Sequence, residues 1–182
     1  MASKRPASPS RYVALLRGIN VGGITIRMAD LARAFEDLGL TEVRTVLASG
    51  NVCFTTTDPD IDALKARIEA ALTEAFGYEA YVLLVEIGAV ARAITSFPFD
   101  DDASMQPWVM FVASPAVTAD VLSGANGLDP SVERVQPGDG VIYWTVVKGQ
   151  STKSAFAKHT AKARFKATTT TRNLRTLRKI LA

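Results

Sequence analysis

Between Tyr12 and Val85 the spacing of apolar residues alternates between the period of a strand and that of a helix in a fixed order, and that order constrains the fold more than any other feature. Tyr12 to Leu16 (YVALL) is a short apolar run ending at a glycine loop, Gly18 to Gly23, and reads as a buried strand. Met28, Leu31, Ala32, Phe35 and Leu38 then recur at helical spacing, and Gly39 stands where a helix C-terminus favours a left-handed residue. Val43 to Leu47 and Val52 to Phe54 flank Ser49-Gly50, a hairpin signal. Asp60 to Phe76 follows as a helix with Ile61, Leu64, Ile68 and Leu72 on one face, and Tyr81 to Val85 as a fourth strand. The order is βαββαβ, that of a ferredoxin-like half.

A helix is expected over Ile87 to Thr95, then a Pro- and Asp-rich connection, Phe97 to Pro107. The pattern resumes with a strand at Trp108 to Val112, a short helix at Val117 to Leu122, and a hairpin of Val132 to Val135 with Val141 to Val147 about Pro137-Gly138-Asp139-Gly140. Two more helices are expected near Thr152 to Phe165 and Arg172 to Leu181. The fold class is therefore α+β, with two ferredoxin-like halves, each a mainly antiparallel sheet with helices packed on one face. The expected divisions are a flexible tail at 1–10, a first half at 11–96, a linker at 97–107 and a second half with basic C-terminal helices at 108–182.

At 182 residues and 48% hydrophobic content, the chain can bury a core without disulfides or a structural metal. Cys53 and His159 are the only residues of their types, which excludes multi-thiolate zinc or iron–sulfur sites and internal disulfides within one chain. No cofactor is expected. Val52-Cys53-Phe54 is an apolar setting in which a free cysteine is a small buried hydrophobe. His159, between Lys158 and Lys162, reads as a surface residue of a basic helix. No stretch approaches the roughly 18 apolar residues of a membrane span, so no membrane partner and a cytoplasmic location are expected.

Charge divides the chain. Met1 to Asp139 holds 11 Lys+Arg against 18 Asp+Glu, whereas Gly140 to Ala182 holds 10 Lys+Arg and no acid. This basic end either contacts phosphate groups, with nucleic acid the default polyanion, or pairs with the protein's own acidic body, which includes Asp100-Asp101-Asp102. Lys158, Lys162 and Lys166 at i, i+4 spacing predict one cationic stripe, and Arg172, Arg175 and Lys179, opposite Leu174, Leu177 and Leu181, predict another.

The string Gly18-Ile19-Asn20-Val21-Gly22-Gly23 invites a phosphate-loop reading that fails: Ile24 stands where a P-loop needs Lys, and Asn20 where a dinucleotide fingerprint needs glycine. In a ferredoxin-like half the first and second strands run parallel, so the glycine loop and the Ser49-Gly50-Asn51 hairpin share one end of the sheet. Arg17, Asn20, Ser49 and Asn51 then form a polar cluster suited to an anion or a carbonyl-rich ligand. The alternative is that the glycines serve turns and the Asn and Ser side chains cap them. RNA-recognition modules share this topology, but here the central strands offer only Tyr12 and Phe54 for stacking. No carboxylate pair stands out for acid–base work.

Leu15-Leu16-Arg17-Gly18-Ile19-Asn20-Val21-Gly22-Gly23, with Met28, Leu31, Ser49-Gly50-Asn51-Val52, Thr170, Arg172-Asn173 and Thr176, resembles the family known as domain of unknown function 1697. The resemblance runs from Arg11 onward. Val46, Ala48 and Leu174 depart from it, standing where the family tends to have an aromatic, Gln and Trp. It implies a small bacterial cytoplasmic protein of two ferredoxin-like halves with no established activity. Arg17, Gly18, Asn20, Gly22, Gly23, Ser49, Gly50, Asn51, Arg172 and Asn173 are ligand-site candidates as family-typical positions. Three functional readings stand at this point: a non-catalytic binding protein for phosphate-bearing ligands, possibly nucleic acid; a metal-independent enzyme acting on a small anionic metabolite; and a structural or oligomeric protein with no ligand.

Overall fold

The computed structural model describes residues 8–20 and 23–182. The chain divides after Ile87 into two compact units. In the first, β1 (Ser10–Arg17), α1 (Met28–Glu36), β2 (Thr41–Thr45), β3 (Asn51–Thr56), α2 (Ile61–Phe76) and β4 (Tyr81–Glu86) follow the predicted order. The sheet runs β2-β3-β1-β4 with every neighbouring pair antiparallel.

Strand periodicity sets the core. Ala14, Leu16, Val52, Phe54 and Val82 face α1 and α2, which contribute Leu31, Phe35, Leu64, Ile68 and Leu72. Each of these side chains larger than alanine stabilises the unit by about 1.5–3 kcal/mol when fully buried. Tyr12 stacks on Phe54 with ring centroids 6.1 Å apart, and Phe35 tilts against the same ring at 5.7 Å. Phe35 and Phe54 are core residues and Tyr12 packs half-buried against Phe54, so this is not an open stacking platform. The alternate positions Val13, Leu15 and Cys53 are buried as well. For α2, Asp60 accepts from the Ala63 N–H at 2.9 Å, and Gly77 ends the helix at φ +66°.

The second unit holds α3 (Ile87–Thr95), which directly follows β4, then β5 (Met105–Val112), α4 (Pro115–Leu122), β6 (Glu133–Pro137), β7 (Val141–Val147), α5 (Ala155–Thr160), β8 (Thr169–Asn173) and α6 (Leu174–Leu181). Its sheet order, β6-β7-β5-β8, repeats that of the first unit strand for strand. Met110, Ile142, Trp144 and Val146 meet Val121, Phe156 and Phe165 in its core. On the opposite face Phe97 stands edge-on to Tyr143 at 5.7 Å. Both units are ferredoxin-like, and the class is α+β.

The basic end differs from its sequence reading. The helix expected over Thr152 to Phe165 is α5 alone: Lys162 turns to an extended ψ of 142° and a 3-10 turn follows at Ala163–Phe165, so Lys158, Lys162 and Lys166 do not share one helical stripe. The helix expected from Arg172 starts at Leu174. Arg172 lies in β8 opposite Val109, which removes it from the second stripe, and the inward face of α6 is Leu174, Leu177 and Ile180, while Leu181 is 40% exposed. This end is part of the second unit's fold, since it supplies an edge strand and the buried Phe156 and Phe165. Strand β5 begins at Met105, inside the segment read as a linker. Of the residues read as an N-terminal tail, 1–7 lie outside those described, and Ser10 opens β1.

Candidate functional site

Strand direction brings the glycine loop and the β2–β3 loop together at one end of the first sheet. Leu16 N–H donates to the Gly50 carbonyl at 2.8 Å where β1 leaves the ladder. Asn20, in the left-handed region at φ +54°, is the clamp. Its Nδ2 donates to the Ala48 carbonyl at 2.6 Å and to the Ile26 carbonyl at 3.3 Å, and its Oδ1 accepts from the Ile26 N–H at 2.8 Å. One side chain thereby closes its own loop and ties it to the neighbouring one. Asn51, fully buried at the start of β3, donates from Nδ2 to the Val46 carbonyl at 2.7 Å and to Ser49 Oγ at 3.0 Å.

Gly50 is required twice over. Its φ of +77° disfavours any side chain, and a Cβ there would lie 2.9 Å from Ile19 Cδ1 and from Leu16 Cβ. Ile19, 4% exposed, is the plug over which Gly50 passes. Gly18 and Gly23 also have positive φ, at +79° and +105°, but open space where a Cβ would be. Gly22 lies outside the described residues.

Arg17, Gly18, Asn20, Gly23, Ser49, Gly50 and Asn51 are thus gathered at one end of the sheet. The two amides are occupied by the loops they shape, as the turn-and-cap alternative requires. Arg17 ends β1 opposite Tyr81, half-buried, and burial holds its guanidinium below the ordinary arginine value without bringing it near neutrality. Arg172 and Asn173 belong to the second unit. Arg172 is buried in β8 and donates from Nη1 to Thr170 Oγ1 at 2.8 Å and to the Thr171 carbonyl at 2.9 Å. Asn173 caps α6 by accepting from the Arg175 N–H at 2.9 Å.

His159, on α5, is half-buried with its ring 5.3 Å from that of Phe165. Burial pushes the Cys53 thiol up, against the pull of Arg44 and Arg11, which opposes nucleophile chemistry. Among the described residues no group of three or more His, Cys, Asp or Glu is placed to hold a metal, and no helix is long and apolar enough to cross a membrane.

Sequence reasoning missed Glu133. Its carboxylate, 2% exposed, accepts from Trp144 Nε1 at 3.0 Å, Ser154 Oγ at 2.6 Å and the Phe156 N–H at 3.0 Å, joining β6 and β7 to the start of α5. An acid two residues before the inward Val135 was the available signal.

A family model described as "Protein of unknown function (DUF1697)" matches residues 10–143. No curated protein matches the chain. A conserved bacterial protein from Streptococcus pneumoniae has a similar solved structure, with a TM-score of 0.77 and 26% identity over 95% of this chain and 97% of its own. A structure of an unknown protein from Galdieria sulphuraria aligns over 91% of this chain and 98% of its own, at a TM-score of 0.27 and 10% identity. The LRGIN and SGN strings of the first unit, the ferredoxin-like sheet in each unit and the span of the family match lead to one conclusion: the chain belongs to the DUF1697 family of proteins of unknown function.

Proposed function

We propose that the protein is a non-catalytic binding protein for phosphate-bearing ligands, with nucleic acid the leading class, and that the contact is made by cations of its C-terminal segment. One observation carries the reading: the acid-free stretch from Gly140 to Ala182 turns Phe156, Phe165, Leu174, Leu177 and Ile180 inward and leaves Lys158, Lys162, Arg175 and Lys179 exposed. The self-pairing alternative has a smaller basis, a solvent-exposed ion pair of Arg164 with Asp120 at 2.9 Å. The loop amides do not enter the contact, because the fold already uses them.

The test is fluorescence anisotropy of labelled single-stranded RNA, single-stranded DNA and duplex DNA across a salt series. Truncating the basic end is unsuitable, since β8 would go with it, so the triple variant Lys158→Glu, Arg175→Glu, Lys179→Glu is used, with circular dichroism to check the fold. Binding whose log–log salt slope reaches several units and falls by about 0.9 per duplex phosphate contact removed is expected. Absence of binding at low salt, or binding unaffected by the triple variant, overturns the reading.

A further inference from the structure

The second unit contains a cavity of about 200 Å³ between its central strands, the 94–102 segment and α6. Part of its wall is apolar: Phe97 and Phe99, packed edge to face at 5.6 Å, with Met105 and Leu174. A cavity near 150 Å³ with apolar walls accommodates a benzene ring, so this one has room for a ring and a short substituent. Its mouth is acidic. Asp100, Asp101 and Asp102 are all exposed there, against a single lining guanidinium, that of Arg178. At the base, on β7, lies Thr145, 2% exposed, with a hydroxyl that is hydrogen-bonded to none of the described residues. Thr145 lines the cavity, so its hydroxyl can bond a group placed inside it.

We propose that this cavity binds a small amine: an ammonium held by Asp100 and Asp101, an aromatic or compact apolar body between Phe97, Phe99 and Leu174, and a hydrogen-bonding group at the far end that meets Thr145. Asp102 has another task. Its Oδ1 accepts from Ser104 Oγ at 2.7 Å and Ser104 N–H at 2.8 Å, which fixes the turn into β5. Those bonds, with the nearby Arg134 and Lys148, hold its carboxyl below the usual carboxylate range. Phe99 already has a cation over its ring, the Arg134 guanidinium 5.2 Å from the centroid, so the ligand's ammonium falls to the carboxylates rather than to the ring. An anionic ligand would meet two unengaged carboxylates at the mouth and is disfavoured.

Four matched probes test the proposal on the intact protein: tyramine, 2-phenylethylamine without the far hydroxyl, 4-ethylphenol without the ammonium, and 3-(4-hydroxyphenyl)propionate with the charge reversed. Binding is read by amide chemical-shift titration up to about 10 mM, a range set by the affinity a ligand of this size can reach. Tyramine is expected to bind up to about fivefold more tightly than 4-ethylphenol, as an exposed ion pair allows, and the propionate more weakly than either. The double variant Asp100→Asn, Asp101→Asn is expected to bring tyramine within about twofold of 4-ethylphenol, by the same ion-pair estimate. Thr145→Val, nearly isosteric, is expected to bring tyramine down to the affinity of 2-phenylethylamine. No perturbation at the cavity with any probe, tightest binding by the propionate, or an ammonium preference that survives the double variant would overturn the proposal. Since the surface variants leave the core intact, the test holds even if Thr145→Val fails to fold.

Discussion

Replacing Glu133 by alanine is expected to destabilise the second unit by about 3–5 kcal/mol, the cost of leaving several buried donors without their acceptor. Three donors lose their acceptor: Trp144 Nε1, the Ser154 hydroxyl and the Phe156 N–H. A buried donor left unsatisfied costs about 1–3 kcal/mol. Ser154 can rotate its hydroxyl, which lowers the total, but it also caps α5 by accepting from the Ala157 N–H at 3.3 Å, so its displacement reaches the helix. Glu133→Gln separates the contributions. An amide oxygen turned toward Trp144 and Ser154 places amide hydrogens against the Phe156 N–H, so one of the three donors is lost and about 1–3 kcal/mol is expected. Against a total stability of about 5–15 kcal/mol, both effects are measurable by urea denaturation. Tryptophan fluorescence suits the assay, because both tryptophans, Trp108 and Trp144, lie in the second unit. An alanine variant within about 1 kcal/mol of wild type, the scale of one net hydrogen bond, would refute the reasoning, as would a glutamine variant less stable than the alanine one.

Gly50→Ala is expected to destabilise the first unit by about 2–4 kcal/mol, combining left-handed strain with overpacking against Ile19 and Leu16; a urea midpoint followed by far-ultraviolet circular dichroism checks it. Tyr78→Phe is expected to be neutral or stabilising by up to about 1 kcal/mol, because the buried hydroxyl has no hydrogen-bond partner among the described residues. Burial also pushes the Tyr78 phenol up to about 12, so its linked stabilisation is present below its ordinary value near 10 and lost as pH rises toward 12; the phenylalanine variant is expected to lack that alkaline loss in thermal melts. Hydrogen bonds from the Ser131 hydroxyl and N–H hold the Asp129 carboxyl below its ordinary value, so its contribution is present above about pH 4 and lost as pH falls through the folded value. Asp129→Asn is expected to flatten the acid limb of the stability profile, and an unchanged limb would count against that assignment.

Strands whose apolar residues alternate or run together were legible, as were the parallel directions of β1 and β2 that bring the loops together. Strand β8 was not. Thr169 to Asn173 offers β-branched residues without an apolar pattern, and Leu174 and Leu177 immediately after it impose helical spacing on the reading. An edge strand buried through Thr169 and Thr170 leaves no hydrophobic signature. The lysine spacing from Lys158 to Lys166 misled for a related reason: i, i+4 periodicity describes a helix only while the backbone continues, and the extended ψ of Lys162 ends it. The clamp was partly legible. Convergence of the loops followed from topology, but the acceptors of Asn20 are the backbone carbonyls of Ala48 and Ile26, which any residue supplies.

The clamp and the cationic surface place different demands on a sequence. Asn20 works through two donors and one acceptor at fixed positions, so even aspartate, which keeps the acceptor, loses both donors. Gly50 admits no side chain at all without displacing Ile19 or Leu16. A run of residues fixed in this way is what a long, specific string looks like when it builds a loop, and no ligand is needed to account for it. Polyanion contact depends on the number and exposure of charges, and it tolerates lysine for arginine and modest shifts of position. Family membership read from LRGIN and SGN is therefore informative about how the first unit closes its loops. The side chains that would decide binding stand elsewhere in the chain, at Lys158, Arg175 and Lys179 and around the cavity at Thr145, where the family strings carry no information.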